Sequence, residues 1–83
     1  MRKAERELLA KLFAAEVDAA MSQRPSPVVQ CDNATIRWLD EHGYAQRITD
    51  RLPGRPVVTI TGYVLTHLGR MTYGEMCKDA EGE

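Results

Sequence analysis

Aromatic residues are few in this chain: one Phe, one Trp and three Tyr among 83 residues. Cysteine is rarer still. Cys31 and Cys77 lie far apart, with no Cys-x-x-Cys pair and no Cys/His cluster around them, which speaks against a zinc-ribbon or disulfide framework. A bond between the two thiols is one reading; the expected state is two reduced thiols in the core. Charge of one sign is missing too. A net charge of −1 is neither the basic footprint of a non-specific nucleic-acid binder nor the acidity of a DNA mimic. Any electrostatic site must therefore come from clustering in the fold.

Long apolar runs are absent. Glu5 and Glu7 follow Met1-Arg2-Lys3 at once, unlike the start of a signal peptide. No window nears the roughly 20 apolar residues of a membrane helix, so the expectation is a cytoplasmic protein that contacts no membrane. Catalytic patterns are also lacking. His42 and His67 have no carboxylate or thiol at a telling spacing, and no Gly-rich phosphate loop follows a strand. Cys31 or Cys77 would be a nucleophile only with a histidine folded beside it. No catalytic residue, cofactor or metal site is expected, and the chain reads as a binding protein rather than an enzyme. Its 83 residues suit one domain. A domain of this size buries only roughly 60% of the surface its unfolded chain exposes. Small domains without staples often lean on a partner or a second copy.

What is present is a clear succession of elements. Residues 3 to 21 read as an amphipathic helix, with Leu9, Leu12, Phe13, Val17, Ala20 and Met21 at three- and four-residue steps. Lys3 with Glu7, and Glu7 with Lys11, sit four apart on its wet face. This helix is either a plain core element or a dimerisation helix through Leu9, Leu12, Phe13 and Val17. Pro25 and Pro27 break residues 22 to 31, where Val28 and Val29 form a short extended piece or anchor the loop. Residues 33 to 42 read as a shorter helix that Asp32 or Asn33 caps and Gly43 stops. Ile36 and Leu39 share one of its faces; Thr35, Trp38 and His42 share another. Residues 44 to 49 and 57 to 61 read as strands joined by a turn over residues 50 to 55, in which Pro53-Gly54 suits a type II geometry. Gly62 allows a bend. Thr66 caps a last helix over residues 67 to 77, where Gly69 and Gly74 allow close packing. Residues 78 to 83 make a polar, frayed tail.

The order is helix, broken linker, helix, glycine stop, strand, basic turn, strand, helix, which is an α+β pattern. Leu39, Gly43 and Tyr44 end the second helix in a leucine, polar, glycine, apolar pattern. Arg47 through Ile60 form a charged hairpin, and Leu65-Thr66 and Gly69-Arg70 open the last helix. This stretch, residues 33 to 72, resembles the second half of a winged helix domain of bacterial transcription regulators of the MarR and PadR type. The resemblance implies a small winged-helix-like fold with a long N-terminal helix, a short helix, a β-hairpin wing and a C-terminal helix. It also implies a homodimeric DNA-binding transcriptional regulator. The front half departs from the pattern: between Met21 and Asp32, ten residues with two prolines are too few for the middle helix such a domain carries.

On the DNA-binding reading, the second helix enters the major groove with Asn33, Thr35, Arg37 and Trp38 near its exposed end. Arg51 and Arg55 on the wing contact phosphates or a minor groove, and Arg47 and Arg70 add backbone contacts. The alternative is a protein-binding module, such as a phage or mobile-element accessory protein that binds and inhibits a host protein. It draws on the incomplete helix-turn-helix, the near-neutral charge and the small size. Trp38 with Arg37 and the wing arginines then forms an interface hot spot, which Tyr63 and Tyr73 extend. The blander readings are a partly buried core Trp38 and ordinary solvated turn charges for Arg51 and Arg55.

Overall fold

The computed structural model describes residues 1–81. The first helix, α1 (Lys3–Ala20), gathers leucines and alanines at helical spacing on one side. The Arg2 amide donates to Glu5 Oε1 at 3.2 Å, so a carboxylate closes the first turn where the helix dipole favours negative charge. Lys3 and Glu7 pair across one turn at 3.8 Å. The helix stops where Ser22 turns left-handed, at φ 61°, just ahead of the prolines.

The segment that follows is irregular yet tightly tied. Arg24 donates from Nε to the Ser26 carbonyl at 2.8 Å and from Nη2 to the Val28 carbonyl at 2.9 Å. The Ser26 hydroxyl, fully buried, accepts from the Val28 amide and donates to Asp50 Oδ2 at 2.7 Å. No middle helix forms here, as the two prolines dictate. Val28 and Val29 anchor the loop in the core and also extend it: Val29 bridges antiparallel to Tyr63.

Helix α2 (Ala34–Glu41) begins at Asn33, whose Oδ1 accepts from the Ile36 amide at 2.8 Å, so Asn33 rather than Asp32 is the cap. Ile36 and Leu39 are both 0% exposed. Gly43, at φ 79°, supplies the left-handed stop. Strands β1 (Ala45–Leu52) and β2 (Val58–Leu65) then pair antiparallel from Ala45↔Leu65 to Leu52↔Val58. The hairpin is longer than the residue pattern suggested. Asp50, Arg51 and Leu52 belong to β1 rather than to the turn, which spans residues 53–57. Gly62 sits inside β2 opposite Ile48 rather than at a bend. A Cβ there would lie 2.6 Å from Val28 Cγ1 and closer still to the Val29 carbonyl oxygen. Glycine is required by the close passage of the Val28–Val29 segment.

Helix α3 (His67–Glu81) runs past Cys77, so the expected tail is helical through Glu81, and its last two positions lie outside the described residues. Thr66 Oγ1 caps it by accepting from the Gly69 amide at 3.1 Å, while donating to the Gly43 carbonyl. Gly69 packs against the Tyr44 carbonyl, where a Cβ would collide; a Cβ added at Gly74 would stand in open space. The core joins Leu9, Leu12, Ala15, Val29, Ile36, Leu39, Ala45 and Leu65. Each buried leucine or isoleucine contributes about 1.5–3 kcal/mol. Leu9 and Leu12, 0% and 1% exposed, are therefore core residues and offer no surface to a second chain. Phe13 is stacked on Tyr73 with ring centroids 4.5 Å apart; of the four expected dimer residues only Val17 is exposed. Both cysteines are free, with Cys31 half-buried but Cys77 at the surface rather than in the core.

Candidate nucleic-acid interface

Side chains directly opposite in an antiparallel pair project from the same face. The register therefore groups Arg47 with Tyr63, Thr49 with Thr61 and Arg51 with Thr59. All are exposed except the half-buried Tyr63. Thr49 Oγ1 and Thr61 Oγ1 lie 2.9 Å apart in a hydrogen bond. The other face carries Ile48, Asp50, Leu52 and Ile60, all half-buried, with the loop tied to it through Ser26 and Asp50. The hairpin thus has a partly covered, mainly apolar face, with Gln46 and Val58 exposed on it, and an open face of arginines and hydroxyls.

Charge follows the same division. The hairpin holds Arg47, Arg51 and, in its turn, Arg55, against one carboxylate, Asp50. Asp50 is spoken for by the Ser26 hydroxyl and the Arg51 amide. None of the three arginines makes an ion pair among the described residues. The hairpin is thus a locally basic element in a near-neutral chain, which net charge alone could not reveal.

A cleft of about 390 Å³ opens between this face and the segment leading into α2, lined by Gln30, Cys31, Asp32, Arg47, Thr61, Gly62 and Tyr63. Burial, more than the nearby Asp32, pushes the Cys31 thiol above its ordinary pKa, against the pull of Lys11. Cys31 is thus a thiol at neutral pH and a weak nucleophile.

The helix residues expected to read DNA are engaged elsewhere. Asn33 caps α2. The Arg37 guanidinium lies 3.6 Å from Asp32, an exposed pair. Trp38 and Thr35 are half-buried beside Arg2, Glu5 and Ala34 in a separate depression of about 220 Å³. Trp38 stacks on His42 at 3.9 Å and lies near-parallel to Tyr44 at 6.0 Å. His42 Nδ1 is 2.8 Å from the Trp38 carbonyl. Arg70 is locked by Glu16, to which Nε and Nη2 donate at 2.6–2.9 Å, and that bond raises its pKa further.

The structure therefore brings Arg47 and Arg51 onto one hairpin face with Arg55 in the adjoining turn, and sets Trp38 and Arg70 apart from them. Tyr63 belongs to the hairpin cleft and Tyr73 to the Phe13 stack, so neither extends the Trp38 cluster. The residues missed were Thr49, Thr59 and Thr61 on the open face, and Tyr44 beside Trp38. The threonines join the site through the strand register, which a one-residue slip would have reversed. No helix among the described residues is long and apolar enough to cross a membrane. Comparison with protein-family models, curated proteins and solved structures gives no match.

Proposed function

We propose that this chain is a winged-helix-like DNA-binding protein that grips the duplex backbone with its hairpin, in the manner of a transcriptional regulator. The observation that carries the reading is the open hairpin face. Two arginines without ion-pair partners, with Arg55 in the turn beyond, stand beside threonine hydroxyls in a chain whose other residues carry a net negative charge. Arginine, threonine and tyrosine are the donors that phosphate oxygens take. The hairpin between α2 and α3 and the capping Thr66 add support to this reading. The test is a titration with mixed-sequence duplex. Reversing Arg51 and Arg55 to Glu removes a salt-sensitive interaction on this reading; an interaction untouched by the reversal defeats it.

A second reading rests on one observation of its own. The Trp38–His42–Tyr44 cluster is a partly exposed aromatic surface away from the arginines, and such surfaces anchor protein interfaces. On that reading the chain binds and inhibits another protein, and Trp38→Ala weakens capture of that partner more than the arginine reversals do.

A further inference from the structure

Resting on the DNA-binding reading, we infer that the β1–β2 face, not α2, is the part that reads duplex DNA, and that it reads the backbone with little regard to base sequence. The case begins with α2. It is only eight residues long, about 12 Å. Asn33 is taken up by the cap and Trp38 stacks on His42, while Arg37 makes an exposed pair with Asp32. Its exposed C-terminal end carries Asp40 and Glu41, which phosphates would repel at the negative pole of the helix. Base-edge readout asks for bidentate Arg, Asn or Gln side chains free to enter the groove, and α2 offers only Arg37, which stands in an exposed pair with Asp32.

The hairpin has the opposite properties. Its open face holds three cross-strand rungs, Arg47/Tyr63, Thr49/Thr61 and Arg51/Thr59, with no carboxylate among them. β2 contains no charged residue at all. Arg47 and Arg51 are four residues apart on one strand, about 13 Å at β-strand rise. Neighbouring phosphates of one DNA strand lie about twice the 3.4 Å axial rise apart along its helical path, so that span covers about two phosphate steps. The hydroxyl rung between them supplies neutral donors to the intervening oxygens, and Arg55 extends the reach at the turn. Two arginines and a hydroxyl row at this spacing match a repeating anionic backbone. The face carries no Asn, Gln, Asp or Glu to read adenine or cytosine edges, and on this inference its arginines serve the phosphates.

Fluorescence anisotropy tests this with labelled 20-base-pair duplexes, one AT-rich, one GC-rich and one mixed, and with a single strand. The expected affinities for the three duplexes agree within roughly threefold and exceed that for the single strand. With three phosphates engaged, log K falls against log salt with a slope of about −2.7, roughly 40-fold between 50 and 200 mM. Each of Arg47→Ala, Arg51→Ala and Arg55→Ala lowers the slope by about 0.9, while Arg37→Ala leaves it unchanged. All four positions are exposed, and circular dichroism confirms folding. A duplex bound tens of times more tightly than the others, with Arg37→Ala erasing that preference, overturns the inference and leaves DNA binding standing. Tighter binding of the single strand overturns it as well. No binding to any duplex at the lowest salt removes the DNA-binding reading itself.

Discussion

Gly62→Ala probes the contact on which the hairpin cleft depends. The added methyl would lie 2.6 Å from Val28 Cγ1, 2.8 Å from the Val29 carbonyl carbon and nearer still to the Val29 oxygen. Two of these atoms are backbone and cannot swing away. Relief requires moving the segment that exchanges hydrogen bonds with Tyr63, Val29 N to Tyr63 O at 3.0 Å and Tyr63 N to Val29 O at 2.9 Å. Overpacking of this kind costs about 1–3 kcal/mol, and losing two backbone bonds adds about 1–3 kcal/mol. The sum is about 2–6 kcal/mol in a domain whose whole stability is about 4–12 kcal/mol. At roughly 4–8 °C per kcal/mol, the melting midpoint falls by roughly 8 °C or more. Thermal circular dichroism reads this directly. Gly74→Ala is the internal control. It places the same methyl in open space on a helix and raises stability by about 0.5–1 kcal/mol. A midpoint for Gly62→Ala within about 3 °C of the parent, under 1 kcal/mol, would refute the close passage of Val28–Val29 over β2.

Three further outcomes follow from named contacts. Asp50→Ala strips the buried Ser26 hydroxyl of its acceptor and costs about 1–3 kcal/mol in urea unfolding; an unchanged midpoint would show that the loop is not tied there. A thiol reagent at neutral pH modifies exposed Cys77 well before Cys31, whose pKa burial raises, and peptide mass mapping orders the two; equal rates contradict the half-buried placement. Arg70→Ala removes the Glu16 pair, lowers stability by less than about 1 kcal/mol as a partly exposed pair, and leaves the salt slope of DNA binding unchanged; a lowered slope would return Arg70 to the interface.

Much of the architecture was legible from local chemistry. Leu9 and Leu12 at helical spacing, Asn33 before α2, Gly43 after it and Thr66 before α3 each state a physical requirement that the structure meets. The hairpin was legible as a hairpin but not in length. Asp50-Arg51-Leu52 has a turn-like composition, yet Asp50 gains a strand partner and a buried serine, both non-local. Gly62 looked like a bend because its reason, the Val29 carbonyl, lies 33 residues upstream of it in another segment. The candidate site was legible only in part. Arg47, Arg51 and Arg55 stood out by their charge. The commitments of Asn33, Arg37 and Arg70 depend on Ile36, Asp32 and Glu16, and only the first two of those partners are near in sequence. An amphipathic helix also cannot reveal whether its apolar stripe meets its own chain or a copy; here Leu9 and Leu12 meet Ile36, Leu39 and Leu65 in one core.

Amide chemical shifts of the labelled protein, followed during titration with mixed duplex at two salt concentrations, test the hairpin interface most directly. The account expects shifts on residues 47–61, above all Arg47, Thr49, Arg51, Thr59 and Thr61, that fade at the higher salt as displaced counterions compete. Shifts confined to Trp38, His42 and Tyr44, or none at the lower salt, would contradict it.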